Sequence, residues 1–215
     1  MEEHYLYHIP VFTIDPVQSE VDVGEVCQEL KFGLPARILS DVDVIYFGEF
    51  PELGDRNASF NDGAIYVSNK EPTVFDVLEN IYHEVAHSLE NTYGAFIFDE
   101  NLKQEFLGKR KKLHSLLNTQ GYKTSLEPWL QTEYSKKLDT FLSDVVGYPI
   151  LLSLTMGLFV SPYGATSFQE YFANGFEKYF LGEAMDIKKI SPVLFSKIES
   201  ILNDNTDQEN ILLRT

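Results

Sequence analysis

Apolar residues recur at steps of three and four along residues 73–93, where Val74, Val77, Leu78, Ile81, Tyr82, Val85 and Leu89 form one stripe. A stripe of that period predicts an amphipathic helix with its apolar face against a core. Thr73 with Asp76 three residues on supplies an N-cap with a weaker form of the capping box, and Gly94 predicts the C-terminal stop. A second helix is predicted from Ser167. There Ser167 and Glu170 make a capping box, Phe172, Phe176, Tyr179 and Phe180 give an apolar face, and Gly182 ends the run. Glu170, Asn174 and Glu177 share the other face.

Upstream the period shortens. Residues 5–14 (YLYHIPVFTI) read as a strand, 21–32 as a short helix and 43–47 (DVIYF) as a second strand. The following FPELGDRNASFNDG is turn-rich, and Asn61, Asp62 and Gly63 mark a tight turn before a strand at 64–68 (AIYVS). Residues 145–160 carry no charge, but the run falls short of the about 20 residues a bilayer span needs and is broken by Gly147, Pro149 and Gly157. It predicts a buried helix-loop able to line an apolar pocket, with no membrane span. The residues from Asp204 onward are polar and predict a frayed tail. The sum is an α+β chain, mostly helical with a small N-terminal sheet. We expect a single domain over residues 1–215, with a strand and helix portion to 60, a portion at 61–202 holding the two strong helices, and a tail at 203–215.

Composition narrows the partners. A 44% hydrophobic chain of 215 residues can bury one sizeable core. Seventeen basic against 33 acidic residues give a formal charge of −16, which argues against nucleic acid as a partner. The acidic excess is either a solvated surface or an attractor for basic peptide segments. Cys27 is the only cysteine and lies on a stripe with Val23, Val26 and Leu30, so it reads as a buried structural thiol. The opening MEEHYLYHIP has no cationic start or apolar run, so no signal peptide is expected there. The protein is then cytoplasmic, or secreted with a leader removed. His4 and His8 are four apart but lack a glutamate and fall in a strand-like stretch, and the basic cluster at 109–112 near His114 reads as a solvated helix face.

The chemistry concentrates in HEVAH at 83–87. On a helix His83 and His87 lie on one face with Cβ atoms roughly 5–6 Å apart, so two ring nitrogens can reach one tetrahedral ion. Glu84 falls beside that ion without ligating it, where a carboxylate can take a proton from activated water, the H-E-x-x-H chemistry of metallopeptidases. Such a site needs a third protein ligand. SLENTYG after His87 offers no metzincin continuation. Glu170 on the second helix is either that ligand or only the closing member of its capping box.

HExxH followed by SPYG, a Glu seven residues after the Tyr, then FA and a later PVLFSKI resembles the catalytic domain of anthrax lethal factor and the related Pro-Pro endopeptidases. The resemblance covers roughly residues 60–202. It implies a zincin-like fold, one Zn2+ held by His83, His87 and Glu170, Glu84 as general base, and Tyr163 donating its phenol to the oxyanion. Asn174 stands where relatives usually carry a second Glu, so an amide replaces a carboxylate that would make a ligating His more basic. Glu90 resembles a family acidic position and either supports the site or sits on the helix surface. In zincins the strand before the HExxH helix lies at the sheet edge and pairs with substrate. That makes Ile65, Tyr66 and Val67 candidate substrate-binding residues, with an ordinary buried strand as the alternative. The stretch from His87 to Tyr163 is longer than in those relatives, so their pockets do not carry over. The expected function is a zinc-dependent endopeptidase acting on a peptide or protein substrate. Its rivals are a catalytically inactive lethal-factor-like binding domain in a toxin-type assembly and a hydrolase of non-peptide amides.

Overall fold

In the computed structural model, which describes residues 2–204, the N-terminal alternation resolves into a hairpin. β1 (Glu2–Leu6) and β2 (Ile9–Thr13) pair antiparallel with Leu6 opposite Ile9. The single strand expected over residues 5–14 is thus corrected to two, because Tyr7 takes a left-handed φ of 57° and turns the chain back. Along β2, buried Ile9, Val11 and Thr13 alternate with half-buried Pro10 and Phe12, so one face meets a core. α1 (Val23–Gly33) starts at Asp22, whose carboxylate accepts the N–H groups of Gly24 and Glu25. It buries Val23, Val26, Cys27 and Leu30, and burial pushes the Cys27 thiol pKa up, as suits a structural cysteine.

β3 (Val44–Gly48) runs parallel to β2, and β5 (Ala64–Ser68) runs parallel to β3. β4 (Ala58–Asn61) is antiparallel to β5, which completes a mixed five-stranded sheet of order β1-β2-β3-β5-β4. Asp62 (φ 47°) and Gly63 (φ 80°) join β4 to β5, and left-handed φ at both positions is the requirement of a type I′ hairpin turn. A Cβ on Gly63 would come within 2.4 Å of the Asp43 carboxylate, so glycine serves the packing as well as the turn. The stretch read as turn-rich therefore contains a strand.

The chain divides into two compact units. One holds the residues up to Gly94 with the described residues from Ser200, and the other holds Ala95–Glu199. The first contains the sheet, α1 and most of α2 (Val74–Ile97). α2 continues three residues past Gly94, a correction of the expected stop. Nothing forces Gly94 out of helical φ, and the Phe96 carbonyl accepts a 2.6 Å bond from Lys197 Nζ. The second unit contains α3 (Glu100–Thr119), α4 (Lys136–Thr140), α5 (Tyr148–Thr155), α6 (Phe168–Lys178), α7 (Ala184–Ile190) and most of α8 (Pro192–Leu202). Its core is aromatic, with Phe106 stacked on Phe168 at 5.3 Å and against Tyr171 at 5.4 Å. Asp99 caps α3 through the Leu102 N–H. That bond first, and Lys197 second, hold its carboxyl below the usual range. After α6 the chain kinks at Gly182 (φ 91°), where the helix was expected to end.

Two members of the basic cluster are not solvated. Lys109 is buried, and its Nζ donates to the carbonyls of Leu158 (2.7 Å) and Ile190 (2.6 Å) and to Ser191 Oγ (3.0 Å). Arg110 is buried as well, while Lys111 and Lys112 stay outside. Burial lowers the Lys109 pKa to about 8. An unfolded Lys titrates near 10.4, so between these values the unfolded chain holds more protons than the fold, and stability from this site rises with pH. In urea denaturation, wild type should gain about 3 kcal/mol on Lys109→Met between pH 8 and 10.5. A constant difference would contradict the depressed value.

Residues 145–160 are likewise only half buried, which corrects the expected buried helix-loop. Leu151, Thr155, Leu158 and Phe159 face inward, but Val145, Tyr148, Leu152 and Met156 are exposed. No helix among the described residues is long and apolar enough to cross a membrane. The tail expected from Asp204 lies, from residue 205 on, outside the described residues.

Candidate metal centre

α2 begins as its sequence requires. Thr73 Oγ accepts the Asp76 N–H at 3.2 Å, and the Thr73 hydroxyl donates to the Asp76 carboxylate. Val77, Ile81, Tyr82, Val85, Ala86 and Leu89 are buried, which fixes the rotation of the helix. His83, His87 and Glu90 then fall on one half-buried stripe at i, i+4 and i+7. The two Nε2 atoms are 3.2 Å apart, and His87 Nδ1 is 2.8 Å from Glu90 Oε1. With Glu90 accepting an Nδ1 proton, His87 Nε2 would present its lone pair on the side of His83, where it could ligate a cation. Two nitrogens bound at about 2.05 Å to one tetrahedral ion would stand about 3.3 Å apart, so this spacing needs little adjustment.

Glu170 opens α6. Ser167, extended at φ −149°, accepts the Glu170 N–H at 3.1 Å. The cap uses the main chain of Glu170, so capping and ligation do not compete. His83, His87 and Glu170 each offer one ligand atom, and all three atoms lie within 4.8 Å of one another. Two imidazoles and a carboxylate fit a divalent transition metal, and this donor set does not by itself select zinc.

Glu84 is nearly buried, and its Oε2 accepts the Phe60 N–H at 2.6 Å. Phe60 is on β4, and this contact corrects the expectation for the neighbouring strand. β5 is not the sheet edge: it is hydrogen-bonded to β3 on one side and β4 on the other, and Ile65 and Val67 are fully buried. Ile65, Tyr66 and Val67 therefore have no free main-chain groups for an extended substrate. On this side the sheet ends at β4. Ser68 N–H reaches the Asn57 carbonyl at 2.8 Å, so by alternation Ser59 and Asn61 also turn toward β5 and Phe60 turns to the open side, where Glu84 meets it. A type I′ turn signal at Asp62 and Gly63 was the clue in the sequence that a strand precedes β5.

Tyr163 heads a short 3₁₀ turn (Tyr163–Ala165) just before α6 and is about half exposed. Asn174 is buried. Its Nδ2 donates to the Glu170 carbonyl at 3.0 Å, and its Oδ1 accepts the Ser161 hydroxyl. The Ser161 bond ties the SPYG segment to α6, and the Glu170 bond lies within the helix. The face of α6 bearing Asn174 and Glu177 is buried, and Glu177 pairs with Lys178 at 3.0 Å. Tyr134 is a further group whose titration feels the Glu170 charge. Its hydroxyl donates to Asp139 at 2.8 Å, and that bond, burial, and the charges of Asp139 and Glu170 raise its pKa. Of these residues Glu90 gives the sharpest expectation. If a divalent metal binds at this group, Glu90→Ala should weaken its binding about 10–100-fold in competition with a chromogenic chelator, because the His87 ring loses its orienting partner. Unchanged affinity would make Glu90 a surface residue only.

Compared with family models, curated proteins and solved structures, the chain matches none.

Proposed function

We propose that this protein is a zinc-dependent endopeptidase of zincin-like fold. The carrying observation is the convergence of His83, His87 and Glu170 ligand atoms within 4.8 Å, with Glu84 next in sequence to a ligand. Zinc held by these residues would polarise a scissile carbonyl and acidify the attacking water. Glu84 would take a proton from the attacking water and return it to the leaving amine. Glu90 keeps the His87 ring in the ligating tautomer. Tyr163 would donate a hydrogen bond from its phenol to the oxyanion, and the Ser161 to Asn174 bond holds the segment that carries it. An extended peptide adds to the free edge of β4, its carbonyl replacing Glu84 on the Phe60 N–H and freeing the carboxylate for proton transfer.

Zinc titration of chelator-stripped protein tests this reading. One zinc should bind per chain, hydrolysis of a mixed fluorogenic peptide pool should return with it, and His83→Ala should lose both. Zinc uptake without hydrolysis would overturn the peptidase and leave a metal-holding binding domain. No uptake would overturn the metal site as well.

A further inference from the structure

The outer face of the sheet carries a row of aromatic rings that stops one strand short of the edge. Phe12, Tyr46 and Tyr66 are in register across β2, β3 and β5, with ring centroids 5.8 and 5.6 Å apart and planes within about 25°. The next residue in the row is Ser59 on β4, registered opposite Tyr66. Its small side chain leaves a cavity of about 570 Å³, whose lining includes Phe50, Leu53, Arg56, Ser59 and Tyr66. That volume is within the range of small-ligand pockets. Phe50 stands edge-on to Tyr66 at 5.2 Å and 74°. Arg56 is fastened to the preceding turn, donating to the carbonyls of Leu53 (3.4 Å) and Glu52 (3.2 Å).

Register connects this cavity to the free edge. The residue of an added strand that lies opposite Ser59 projects to the same face as Ser59 and Tyr66, because directly opposed residues share a face. It therefore extends over Ser59 toward Phe50 and Tyr66. A planar side chain there continues the ring row and comes within reach of a guanidinium at the rim. The adjoining register position is Phe60, whose N–H holds Glu84, so the cavity borders the site already described.

We propose that this cavity is a specificity pocket for an aromatic side chain of an extended peptide bound along β4. The proposal rests on the peptidase reading for the fate of the peptide, and on strand addition at β4 for its placement.

Peptide libraries with one fixed position, either Trp, Tyr, Leu, Ser or Asp, are bound to metal-free protein and followed by fluorescence anisotropy. The same libraries are then offered to zinc-loaded protein. The aromatic libraries should bind about tenfold or more tighter than the Ser library, in keeping with burial of one large side chain. Ser59→Trp, which fills the cavity, should erase that preference with a thermal midpoint close to wild type. Arg56→Gln, on an exposed loop, should reduce the preference without touching the strand. No aromatic preference, or one that both variants leave unchanged, would overturn the pocket. Aromatic-selective binding without cleavage would sustain the pocket and sink the peptidase reading. Cleavage with no aromatic preference would do the reverse.

Discussion

Exchanging Glu84 for Gln is expected to cut kcat for peptide hydrolysis by about 10²–10⁴-fold, the usual contribution of a positioned general base. The substitution changes little else. Gln has the same shape and keeps a side-chain oxygen that can accept the Phe60 N–H, so the contact between α2 and β4 survives. An amide oxygen cannot take the proton of the attacking water at neutral pH. His83, His87 and Glu170 are untouched, so zinc affinity by isothermal titration should match wild type. Steady-state kinetics with saturating zinc provide the check. A variant with wild-type kcat would remove Glu84 from the chemistry, and one that lost zinc together with turnover would assign it to the metal site.

Replacing Arg110 with Ala should cost about 3–5 kcal/mol of stability in urea denaturation. The guanidinium is fully buried, donates to the carbonyls of Gln131 (2.7 Å) and Pro128 (2.9 Å), and lies over the rings of Phe106 (5.2 Å) and Trp129 (5.9 Å). Burial lowers its pKa to about 10, which still leaves it charged at neutral pH. Truncation strands two carbonyls and opens a cavity beside Trp129, two penalties that add. Arg110→Met refills most of the volume and should recover part of the loss. A cost under about 1 kcal/mol for the alanine variant would mean that water or neighbouring side chains satisfy those carbonyls.

The parts of the molecule legible in the sequence are those set by local rules. Period and cap together placed α2 and α6 to within a few residues, because Thr73, Asp76, Ser167 and Glu170 act on their own helix ends. The His83, His87 and Glu90 stripe follows from helical geometry alone. Non-local facts were not legible. Lys109 and Arg110 read as solvated because no feature of LGKRKK tells which residues will meet the carbonyls of Leu158, Ile190, Gln131 and Pro128. β4 was hidden because four residues carry a weak period signal, although the Asp62 and Gly63 turn pointed to a hairpin. The edge assignment of β5 failed for a related reason: strand order depends on pairing partners distant in the chain. The place of Asn174 near the site rests on analogy with a carboxylate, and its bonds to Ser161 and the Glu170 carbonyl are details that spacing does not give. The role of Tyr163 rests on resemblance, since nothing in its own spacing singles it out.

Mass spectrometry of a proteome-derived peptide library is the most direct measurement of the central claim. The library is incubated in parallel with zinc-loaded protein, chelator-stripped protein and zinc-loaded Glu84→Gln. Metal-dependent peptide hydrolysis at His83, Glu84, His87 and Glu170 predicts new peptide termini in the first sample and none in the other two. New termini in all three, or in none while one zinc is bound per chain, would contradict it.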